Sequence, residues 1–161
     1  MNCKIKITTK QAEYKGMSIF ERAAEELLIS EVLSDYDNED LIETSVYGEF
    51  STQGGVFTLK YDEESQNMGA THTKLEFSLD APERISIVRT GAIDTFMVYE
   101  KSKRSVCVYN TGIMPFEICI YAKDVDNRLL TEGYMEITYL IEIKGACAQK
   151  TVMRMEIEKY D

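Results

Sequence analysis

Arg89 makes the strongest chemical demand of any residue in this chain. Counting by twos along Ile85, Ile87 and Arg89 puts its guanidinium on the same strand face as two isoleucines. If that face is the inside of a β-structure, the charge must meet a carboxylate, a phenol or a bound anion, because an unpaired buried charge costs several kcal/mol. Tyr61, in step with Phe57 and Leu59, supplies one phenol. Tyr139, in step with Ile137 and Ile141, supplies another. With the soft side chain of Met97, these residues form a candidate binding set (Arg89, Tyr61, Tyr139 and Met97) for a small apolar or anionic ligand. A second placement for Arg89 stays open: it ends its strand beside Thr90 and Gly91, so its head can reach past a rim into water while its stem packs on apolar neighbours.

Other chemistries find little support. The single histidine, His72, falls by alternation on a charged face with Lys74 and Glu76, where it reads as a solvated side chain without a catalytic partner. Glu63 and Glu64 are adjacent carboxylates in an acidic stretch read as a turn, where water keeps both ordinary acids. The chain has no G-x-S-x-G, P-loop or G-x-G-x-x-G motif, and Cys3, Cys107, Cys119 and Cys147 form no C-x-x-C pair. The expectation is therefore no catalytic residue, no metal and no cofactor, free thiols in a reducing cytoplasm, and a balance that leans against an enzyme.

With 28 acidic against 18 basic residues the net charge is −10, which opposes both nucleic acid and anionic lipid. No apolar run approaches the roughly 20 residues that span a bilayer, and the first residues alternate charge with apolar side chains, unlike a secretory signal. At 161 residues the chain fits a single domain, 1–161.

The elements that must position Arg89 are strands. From Met68 to Ala122 the pattern is of short alternating runs broken by turns at Asp80-Ala81-Pro82, Thr90-Gly91-Ala92, Glu100-Lys101-Ser102-Lys103 and Asn110-Thr111-Gly112. Earlier come a strand over 3–9, strands over 42–50 and 56–62 with Gly54-Gly55 closing a hairpin, and an acidic turn over 63–67. Later come a strand over 116–125, a turn at Asp126-Asn127, and two long strands over 131–144 and 149–160. In these last strands Met135, Met153 and Met155 share the apolar face, either as core filler or as the wall of an adaptable cavity. One helix is expected. Ser18 and Glu21 form a capping box, apolar residues recur at helical spacing through 19–33, and the acidic run 34–40 ends it as a loop. That helix, about 18–34, is placed over a barrel mouth, on the outer wall or in a homodimer contact.

These readings add up to an all-β protein: a closed antiparallel barrel of roughly 8–10 strands with one N-terminal α-helix, preferred over a sandwich because nearly sequential hairpins favour an up-and-down course. The runs Met68-Gly69-Ala70-Thr71-His72-Thr73-Lys74-Leu75, Arg89-Thr90-Gly91-Ala92-Ile93, Phe96-Met97-Val98-Tyr99-Glu100 and Tyr109-Asn110-Thr111-Gly112 resemble the YwiB-like family of small bacterial proteins of unknown function, described as calycin-like (lipocalin-like) barrels. The resemblance runs from about Leu41 to the C-terminus. It implies the closed barrel and no assigned activity. The segment Thr111-Gly112-Ile113-Met114-Pro115 departs from the Thr-Pro-Tyr-Gly-like turn of that family, and the capped helix looks like an addition to it. Two functions follow as expectations: a non-enzymatic cytoplasmic barrel that binds a small ligand, or a structural barrel with a filled core that acts through a homodimer or a protein partner.

Overall fold

The structure, a computed structural model, describes residues 1–14, 36–65, 69–92, 94–110, 115–143 and 146–160. They form strands β1 (Asn2–Tyr14), β2 (Tyr36–Gln53), β3 (Val56–Ser65), β4 (Gly69–Ser78), β5 (Ala81–Gly91), β6 (Thr95–Glu100), β7 (Lys103–Asn110), β8 (Pro115–Arg128), β9 (Tyr134–Ile143) and β10 (Ala146–Lys159). All pairings are antiparallel and follow chain order, and β1 pairs with β10, so the sheet runs β6-β5-β4-β3-β2-β1-β10-β9-β8-β7. The sheet therefore curls into an up-and-down barrel that is nearly closed. Its two edges, β6 and β7, meet side by side at a seam. There the Ser105 hydroxyl donates to the Val98 carbonyl at 2.8 Å, so a side chain serves where a ladder bond would otherwise sit.

Alternation decides which residues face inward. Ile5, Phe57, Leu59, Leu75, Ile85, Met135, Ile137 and Met155 are fully buried, while their strand neighbours Lys4, Lys60 and Lys74 are exposed. One end of the barrel carries the β2–β3, β4–β5, β6–β7 and β8–β9 connections. There Phe50, Phe57 and Phe77 stack at 5.8 and 4.8 Å between ring centres and fill the floor with carbon. The β2–β3 hairpin closes at Gly54 and Gly55, with φ of 59° and 77°; positive φ at both positions is what a twist-matched two-residue turn requires.

The other end carries the β1–β2, β3–β4, β5–β6, β7–β8 and β9–β10 connections. The expected helix, 18–34, lies outside the described residues. Three sequence expectations are corrected. Tyr36 to Asp40, read as the end of an acidic loop, belongs to β2, because β1 continues to Tyr14 and offers it a partner strand. Glu63 to Ser65, read as a turn, continues β3 along β4 as far as the Ser65–Gly69 pair. Asp126 and Asn127, read as a turn, lie in β8 opposite Glu136 and Met135, and the turn comes at Leu129 to Gly133. In each case ladder bonds to a neighbouring strand outweigh the turn preference of short polar side chains. Among the described residues no helix is long and apolar enough to cross a membrane.

Candidate functional site

A single cross-strand row carries the polar interior. Tyr61 on β3 is opposite Thr73 on β4, Thr73 is opposite Arg89 on β5, and Arg89 is opposite Thr95 on β6. Residues in direct register point to the same face, so four neighbouring strands deliver two hydroxyls, a phenol and a guanidinium to one belt inside the barrel. Gly48 on β2 begins the row. A Cβ there would lie 2.4 Å from the Lys60 carbonyl oxygen and 3.1 Å from the Tyr61 Cβ, so the absence of a side chain lets β2 run close against the base of Tyr61.

The opposite wall completes the belt. Tyr139 on β9 is in register with Thr151 on β10, and its ring lies 4.9 Å from that of Tyr99, which reaches across from β6. The Tyr99 hydroxyl donates to the Met97 sulfur at 3.1 Å. Along β3, one inward step beyond Tyr61, stands half-buried Glu63.

Burial sets the electrostatics of the belt. The Tyr61 phenol is pushed up to about 12, first by burial; the field of Arg89 acts in the opposite direction. Tyr99 and Tyr139 are raised for the same first reason, and Arg89 again works against the rise in both. For Arg89, burial disfavours the charge, while Tyr61, Tyr99, Glu63 and Tyr139 favour it and prevail. The three phenols exert that pull only once ionised. Arg89 Nε is buried without a hydrogen bond, as are the hydroxyls of Thr73, Thr95 and Thr151. The Tyr61 phenol lies within reach of Arg89 and Thr73, and the atoms left unpartnered are themselves closed off from solvent.

Arg89, Tyr61, Tyr139 and Met97, read from alternation as a candidate set, are all brought into this belt. Arg89 itself is half-buried, with an inward guanidinium and an exposed next neighbour, Thr90. Sequence reasoning missed Tyr99, Thr95, Thr151 and Glu63. The alternation Thr95, Met97, Tyr99 along β6 would have pointed to the first two. His72 is on the outer wall, exposed, with Nδ1 2.6 Å from Asp62 Oδ1. Met135, Met153 and Met155 are buried in the core. Cys3 and Cys107 are buried free thiols, and burial pushes both up. No cluster of three or more metal-ligating side chains occurs among the described residues.

Fold and belt together define a class: a nearly closed up-and-down β-barrel with an apolar floor and an interior ring of cationic, phenolic and hydroxyl groups. Within that class the chain belongs to the family described as "Domain of unknown function (DUF1934)", whose model matches residues 28–155. It is also similar in fold to the crystal structure of the ywiB protein from Bacillus subtilis, with a TM-score of 0.68 over 98% of this chain and 94% of that one, at 16% identity. No curated protein matches it.

Proposed function

We propose that the protein binds a small anionic or part-anionic molecule within its barrel and performs no catalysis, a lipocalin-like use of the fold. The observation that carries this reading is the unpartnered Arg89 Nε, in one register row with the unpartnered hydroxyls of Thr73 and Thr95. Each buried donor without an acceptor costs about 1–3 kcal/mol, so a packed structural barrel gains nothing from placing several together. An oxyanion that accepts from them recovers that energy on binding. The apolar part of such a ligand meets half-buried Met97, since the carbon floor below is already filled by Phe50, Phe57 and Phe77 and the Tyr99 and Tyr139 rings are themselves almost fully buried. Buried free thiols at Cys3 and Cys107 suit a reducing cytoplasm.

Native mass spectrometry and thermal shift against a cell extract test the proposal. The full chain is expected to retain a small-molecule adduct, and Arg89→Ala to lose it. No adduct on the wild-type chain under any extract fraction sinks it.

One further observation favours a second reading, a barrel that acts through a copy of itself or a protein partner. Phe96, Val106 and Val108 point outward beside the β6–β7 seam at 57, 64 and 58% exposure. Light scattering separates the readings: a concentration-dependent dimer that Val106→Glu abolishes supports the second.

A further inference from the structure

Arg89 is not the only charge on the inner wall. Glu63 shares its face, one inward step from Tyr61 along β3, while Arg89 projects from β5 on the far side of β4. Two strand spacings and one two-residue step put their Cα atoms about 12 Å apart. Side chains of that length can meet across such a gap, yet among the described residues neither carboxylate nor guanidinium forms an ion pair with the other or with anything else. The inner wall therefore presents a separated cation and anion, with Thr71 and Thr73 on the strand between them.

A plain anion is poorly served by this arrangement. It would gain Arg89 but approach Glu63 as a like charge, in a protein whose net charge is already −10. A molecule with no net charge and both signs on neighbouring atoms meets no such opposition. Its carboxylate fits the planar donor fork of Arg89 and its ammonium the Glu63 carboxylate. Half-buried Met97 supplies apolar surface for whatever remains. We infer that the barrel selects a small zwitterion, an amino acid or a close relative, with its carboxylate held by Arg89 and its ammonium by Glu63. This inference rests on the reading of the belt as a ligand site and specifies what occupies it.

Calorimetric titration of the full chain with the common amino acids, and with the deaminated carboxylic acid of any that binds, tests it. At least one amino acid is expected to bind, and removal of its amino group to weaken binding about tenfold or more, the loss of one charge-assisted contact. Glu63→Gln should erase that difference, whereas Arg89→Met should abolish binding of both members of the pair. Thermal melts of each variant confirm that the chain is folded. Binding of the deaminated acids as tightly as, or more tightly than, their amino acids overturns the zwitterion while leaving the ligand barrel standing, and so does discrimination that survives Glu63→Gln. Silence from every amino acid also overturns the zwitterion, and the extract experiment then judges the wider reading on its own.

Discussion

Replacing Arg89 by methionine should make the unliganded protein more stable. The substitution keeps an unbranched side chain to pack where the arginine stem packs, and removes the guanidinium. At neutral pH the charged head is held weakly: Tyr61, Tyr99 and Tyr139 are uncharged phenols whose pKa values burial raises, Arg89 reaches only the neutral Tyr61 phenol among them, and Glu63 makes no ion pair with it. Its buried Nε goes without an acceptor, a cost of about 1–3 kcal/mol by itself. Subtracting the long-range attraction of a half-buried Glu63 leaves a net gain of about 1 kcal/mol, or a rise in Tm of roughly 2–4 °C for a chain of this length. Thermal and urea denaturation of the ligand-free protein read it directly. The same variant should move the Tyr61 phenol further up, since Arg89 acts to lower it. The opposite sign is informative. A loss of about 3–5 kcal/mol is what breaking a buried ion pair costs, and it would show that Arg89 is a structural partner and not a binding group.

Three other outcomes follow from the same structure. Tyr61 holds its proton to about pH 12 when folded and to about 10 when unfolded, so stability is fully present below pH 10 and falls as pH rises toward 12, by about 3 kcal/mol from this residue; spectrophotometric titration should show Tyr61, Tyr99 and Tyr139 ionising above the ordinary phenol range. Gly48→Ala should cost about 1–3 kcal/mol in urea denaturation, because the new Cβ meets the Lys60 carbonyl, which is backbone and cannot turn aside. Ser105→Ala should lower stability by about 1 kcal/mol and speed hydrogen exchange at the amides of β6 and β7 more than elsewhere, since it removes a hydroxyl that joins the two edges.

Much of this barrel is legible in its sequence because a period of two survives wherever one face is buried. Ile85, Ile87 and Arg89 show it plainly, and so do Phe57, Leu59 and Tyr61; the shared face is legible from them, while alternation alone leaves open whether the Arg89 head turns inward or past the rim. Closure is different in kind. That the seam falls between the consecutive strands β6 and β7 depends on how the sheet curls, and no local pattern encodes it. Strand ends were also obscured where acidic and amide side chains occupy ladder positions. Asn127 shows why: its Oδ1 accepts from the Leu129 amide, a true turn-initiating contact, but the residue itself stays in β8 and the turn begins just beyond it. Glu63 was hidden by the same ambiguity. Read as part of a solvated turn, it gives no hint that it shares the inner face with Arg89, two strands away along the same wall. Tyr99 sits in the six-residue strand β6, where the alternation Thr95, Met97, Tyr99 marks one face and the pairing of Tyr99 with Ile85 on β5 makes it the inner one.

In the proposed ligand site the buried Arg89 Nε–H donates to whatever binds there. Its proton–nitrogen correlation peak, assigned by its loss in Arg89→Met, can be followed as small carboxylates and amino acids are added to the full chain. A saturable shift of that peak is expected, with smaller movements in the hydroxyl-bearing neighbours Thr73 and Thr95. A peak that stays in place while the other arginines respond only to ionic strength would contradict it.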